Sequence, residues 1–164
     1  MLTSSVPLVK AALEARIAAV LAAAGHSALV SRGHPYPKAW AGQTVIVGRV
    51  AGRLPPVWTA AMTQQNEEYE IEVLVNVAGS AQDAYSSFED AAYALEALIA
   101  GDLVAWTREP ETLPAGDWGQ VLAILPAGGS DEEGIEEDRH GAPKSRDATV
   151  TLTVHVRARL VGHG

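Results

Sequence analysis

Two segments of this 164-residue chain alternate apolar and polar residues too long and too regularly for anything but half-buried strands. In NEEYEIEVLVNV, residues 66–77, Tyr69, Ile71, Val73, Val75 and Val77 share one phase, and Glu68, Glu70, Glu72, Leu74 and Asn76 the other. In ATVTLTVHVRARL, residues 148–160, Val150, Leu152, Val154, Val156, Ala158 and Leu160 alternate with Thr149, Thr151, Thr153, His155, Arg157 and Arg159. Each strand has one face that must be covered and one that is polar. Successive carboxylates on the first strand lie about 7 Å apart, where repulsion in water is roughly 0.6 kcal/mol per neighbouring pair. That is tolerable in solvent, and it invites a cationic partner.

The cover comes from two helical patterns. SSVPLVKAALEARIAAVLAAAG opens on serines able to cap, has Pro7 in its first turn, and spaces Val9, Leu13, Ile17, Val20 and Leu21 helically before Gly25. The second helix runs from an N-cap at Asp83 to Ala100, with Gly101 as its stop and Tyr85, Phe88, Ala92, Leu95 and Ile99 as its apolar stripe. Short strands are expected at 27–31, 44–50 and 118–125. The two prolines in HPYPKAWAG break the chain between the first pair, and Pro55 and Pro56 turn it toward the glutamate strand, which residues 58–65 extend backwards. EPETLPAGD reads as a loop. Residues 126–147 are glycine-containing and carry Asp131, Glu132, Glu133, Glu136, Glu137 and Asp138, so they read as an acidic loop, mobile in the free protein and a subunit-contact or lumen element once assembled. Together these elements predict one α+β domain. Its sheet is mostly antiparallel, with a mixed sheet left open, and both main helices pack on one face.

Charge is segregated along the chain: residues 1–60 carry net +5, residues 61–138 net −17, and residues 139–164 net +4. Such blocks suit complementary surfaces, within one fold or between copies, better than a basic nucleic-acid groove. No window is apolar enough for a membrane span and no signal-peptide pattern opens the chain, so a soluble protein that starts in the cytoplasm is expected. With no cysteine, thiol chemistry, disulfides and thiolate zinc sites are excluded. The histidines lack metal-ligand spacing; His26 and His34 flank a strand but read as surface residues. GSAQDAYSS lacks the glycine-flanked nucleophile elbow, and PAGGSDEEG lacks a lysine for phosphate. The reading is therefore of a non-enzymatic chain with no cofactor and no metal. Glu68, Glu70 and Glu72 are expected to pair with Arg157 and Arg159, in cis or between subunits.

LVKAALEARIAAVL, EEYEIEVLVNV, DAYSSFEDAAYALEALI and ATVTLTVHVRARL, in that order, resemble the tail terminator, or tail-completion, proteins of long-tailed bacteriophages. The resemblance spans nearly the whole chain and includes no catalytic motif. It implies a structural virion protein that forms a hexameric ring at the head-proximal end of the tail tube. Such a ring ends tube growth and offers a surface to the head connector. The implied partners are further copies of the chain, the tail tube protein and a head-completion protein, with genomic DNA passing through unbound and no membrane. The alternatives are another neck component, a head-closure or tube protein, or a small metal-dependent or ligand-binding enzyme.

Overall fold

The computed structural model describes residues 4–33, 42–54, 57–58, 64–137 and 143–161. Helix α1 (Val6–Ala23) precedes strands β1 (Leu29–Arg32), β2 (Gly42–Arg53), β3 (Val57–Trp58) and β4 (Gln64–Ser80). Helix α2 (Tyr85–Thr107), a 3₁₀ turn (Pro110–Thr112), β5 (Ala115–Gly116), β6 (Gly119–Glu137) and β7 (Pro143–Val161) follow. The strands form one sheet in the order β1-β2-β4-β7-β6-β5, with β3 beside β4. Every pairing is antiparallel except β1 with β2, so the sheet is mixed and the fold α+β.

Both helices pack on the same face, because the apolar phases of the long strands meet their stripes there. Val9, Leu13, Ile17 and Leu21 of α1 and Phe88, Ala92, Leu95 and Ile99 of α2 join Tyr69, Ile71, Val73 and Val75 of β4 and Val150, Leu152, Val154 and Val156 of β7 in one core. At the end of α1, Gly25 adopts φ 84°, the left-handed geometry in which glycine follows helices without a Cβ penalty. Close approach explains a second glycine: a Cβ on Gly79 would lie 2.7 Å from the Phe88 ring, the first core residue of α2.

Five sequence expectations are corrected. Helix α2 does not stop at Gly101 but continues to Thr107, and its N-cap is Ala84, not Asp83. An interior glycine costs about 1 kcal/mol, whereas burying Leu103 alone returns roughly 1.5–3 kcal/mol. The added turn also buries Trp106, whose indole N–H donates to the Thr112 carbonyl (3.0 Å). It brings Asp102 to Arg16 of α1 in a two-pronged pair at 2.7 and 3.0 Å, with the guanidinium 5.0 Å from the Trp106 ring centre.

The acidic segment is not a loop over 126–137. It is the second half of β6, paired with β7 from Gly128↔Thr153 to Glu136↔Ser145. A polar strand needs no apolar burial of its own when a neighbour supplies the ladder, and each such bond contributes about 0.5–1.5 kcal/mol net. Asp138 lies outside the described residues. Residues 64 and 65 belong to β4, but Trp58 is in the separate β3, which pairs antiparallel with β4 and sets Trp58 opposite Gln65. Finally, Ser5 occupies the N-cap of α1 without capping it through its side chain, which is engaged elsewhere, and it is the Ser4 hydroxyl that accepts from the Val6 N–H (3.2 Å).

Candidate functional site

The polar face of β4 and β7 collects the residues singled out by sequence. The two strands are direct neighbours, with Glu68 opposite Arg157, Glu70 opposite His155 and Glu72 opposite Thr153. Glu68 stands 3.3 Å from the Arg157 guanidinium and 3.7 Å from His155 Nε2. The expected pairing is thus met in cis for Glu68 and Arg157. Glu72 pairs instead with Arg49 of β2, which donates to both carboxylate oxygens at 2.7 and 3.2 Å. A β-bulge between Val47 and Val50 shifts the register beside Glu72, where Arg49 makes this contact. Hydrogen bonding from Arg49 and its charge hold the Glu72 carboxyl below the usual carboxylate range. Among the described residues neither Glu70 nor Arg159 forms an ion pair.

Three carboxylates share this face with three guanidinium groups, Arg49, Arg157 and Arg159, and two of the three arginines are ion-paired. Toward the other end the face is covered: Thr44, Ile46 and Asn76 are buried. Asn76 donates to Asp147 (2.6 Å) and Thr149 (2.9 Å) of β7. Thr44 Oγ1 and Asn76 Oδ1 are buried with no hydrogen-bond partner among the described residues.

The acidic residues of β6 form a second region. Asp131, Glu132 and Glu133 are exposed, with Glu133 3.6 Å from Arg146 Nε. Register places Asp131 and Glu133 opposite Val150 and Ala148, whose side chains enter the core, so these acids lie on the helix side of the sheet. Desolvation raises the pKa of Tyr85 and Tyr93 on α2, with Glu89 and then Asp131 and Glu133 adding to it at Tyr85, and Asp131 and then Glu89 at Tyr93. Glu136 and Glu137 close the paired stretch, opposite Ser145 and Pro143.

The most deeply set charge was missed by sequence reading. Glu67 is 1% exposed and lies in the phase of Tyr69 and Ile71, on the helix side. Its Oε2 accepts from the Ser5 N–H and Ser5 hydroxyl, both at 2.8 Å, and its Oε1 from the Ser4 hydroxyl (2.7 Å) and Arg53 (2.8 Å). The Tyr69 hydroxyl lies 2.9 Å from Ser5 Oγ. Since Ser5 gives its proton to the carboxylate, Tyr69 donates to Ser5. Burial acts to raise the Glu67 pKa, but the donors from Ser5 and Ser4 and the Arg53 charge outweigh it and hold it below the ordinary range. Burial pushes the Tyr69 hydroxyl well up. The carboxylate thus sits at the N-terminus of α1, where backbone donors and the helix dipole favour negative charge.

Chemically, these arrangements pair charges and join elements. Among the described residues no group of three His, Asp or Glu side chains could hold a metal ion, and no helix is long and apolar enough to cross a membrane. Comparison with known protein families and with curated proteins returns no match.

Proposed function

We propose that this chain is a tail terminator of a long-tailed bacteriophage. In this reading it is a structural, non-enzymatic virion protein whose copies form a hexameric ring on the head-proximal end of the tail tube. It awaits assembly in the host cytoplasm, stops tube polymerisation and presents a surface to the head-completion protein, and it needs no cofactor. The order of sequence patterns behind the resemblance supports the reading, and so does a fold in which two helices seal one sheet face and leave a polar wall on the other.

The observation that carries it furthest is the charge balance of that wall. DNA affinity comes mainly from cations that neutralise phosphates. Arg157 is held by Glu68 and Arg49 by Glu72, so two of the three arginines of this face are engaged by carboxylates, and Arg159, unpaired among the described residues, is matched in number by the unpaired Glu70. A wall of this kind lets a duplex pass without trapping it.

Gold-labelled protein added to purified tail tubes tests the reading by electron microscopy. Label is expected at one end only, and tubes grown from free subunits in its presence should be shorter. Label scattered along the tubes, or none, with unchanged tube length, contradicts it.

A further inference from the structure

The two margins of the sheet differ in charge and shape. At one margin β6 is regular from Gly128 to Glu136 and, among the described residues, no strand lies on its outer side there; β5 pairs only with Gly119 and Gln120. This margin displays Asp131, Glu132 and Glu133 to solvent. At the other margin β1 covers β2 only from Thr44 to Val47, with the Gly33 N–H closing on the Val47 carbonyl (3.1 Å). Beyond it two hollows of about 440 and 750 Å³ share Lys10 of α1 and Gly33. Arg32 and Arg49 line them but are paired, with Glu14 and Glu72, each at 2.7 Å. Lys10 has no ion pair among the described residues. It is a half-buried cation at the centre of a trough.

We propose that the acidic margin of β6 from one copy docks in the Lys10 trough of the next, making this the contact that propagates around the ring. The inference rests on the ring reading above and assigns its interface. Charge selects the occupant: the exposed Asp131, Glu132 and Glu133 of β6, with Glu133 also beside Arg146, meet a cation that has no ion pair among the described residues. It also sets the symmetry. Two β6 margins face to face would oppose like charges, which destabilises strand pairs, so a two-fold dimer through this edge is disfavoured. A β6-to-trough contact is heterologous, and heterologous contacts close into rings when the rotation allows.

Charge exchange tests the contact. Sedimentation over a concentration series, with circular dichroism as a check on folding, is run on K10E, on D131K/E132K/E133K, on both changes in one chain, and on an equimolar mixture of the two variants. Each variant alone should assemble roughly tenfold or more weakly than the unmodified chain. Both changes in one chain, and the mixture, should recover much of that loss, because every contact again joins opposite charges. If the unmodified chain assembles and the reversals leave assembly unchanged, or combine additively without rescue, the interface lies elsewhere and the ring reading survives. Normal self-assembly of K10E together with lost binding to tail tubes would give the trough to another protein and overturn this assignment. A chain that stays monomeric at every concentration overturns the contact, while end-labelling of tubes tests the terminator reading separately.

Discussion

Glu67 shows how one residue can belong to a strand by sequence and to a helix by energetics. It joins the first turn of α1, the end of β2 through Arg53, and β4 itself, with four donors on two oxygens. Removing it strands buried donors, at about 1–3 kcal/mol for each group left unsatisfied. Glu67→Ala should therefore lower unfolding free energy by roughly 3 kcal/mol, and Glu67→Gln by less, because the amide oxygen still accepts. The pH dependence has a definite sign. A carboxyl whose folded pKa is depressed contributes stability that is present above its unfolded value, about 4.3 for glutamate, and is lost as pH falls through the lower folded value. Denaturation of wild type and Glu67→Gln from pH 7 to pH 3 should show curves that converge in acid. Parallel curves would mean that the carboxylate's charge contributes nothing. Glu67 was legible in principle: counting by twos from Tyr69 places it on the core face, but the run of neighbouring glutamates draws the eye to the polar stripe.

At the scale of elements, apolar periodicity was the reliable signal, because the stripe of a helix or the phase of a strand has to be buried. Val9 to Leu21, Phe88 to Ile99, and the alternations of β4 and β7 all met in the core. What lay outside that signal was misread. Gly101 looked like a stop, yet Leu103 and Trp106 continue the stripe at the right spacing and outweigh it. Residues 126–137 carry no stripe, so local composition could not reveal that β7 would supply their ladder. Cross-strand partners such as Arg49 for Glu72 depend on a bulge, which is set by the neighbouring strand as much as by the local sequence. The corrected strand predicts a particular hydrogen-exchange pattern. In an antiparallel edge strand only alternate amides bond inward, so residues 128–136 should show slow and fast exchange in alternation. Uniformly fast exchange would return the segment to the loop first expected. Assembly through this margin should slow the remaining amides.

For the whole molecule, the fold brings much of the charge that is segregated along the sequence together, with Arg16, Arg49 and Arg53 paired to Asp102, Glu72 and Glu67, and leaves unlike charge at the two margins of the sheet. The net +5 of residues 1–60 includes Lys10 beside the trough, and the net −17 of residues 61–138 includes the opposite margin on β6. In the proposed ring the helix layer and the charge-balanced wall would give each subunit an outside and an inside, while its two unlike margins would give it a direction. The central claim is that copies of this chain close into a ring, and native mass spectrometry over a concentration series tests it most directly. Closure predicts a single dominant assembly at six times the 17.2 kDa chain mass, with intermediates scarce because a closed ring leaves no margin unsatisfied. A ladder of open oligomers with no preferred size, or a monomer at every concentration and in the presence of tail tubes, would contradict it.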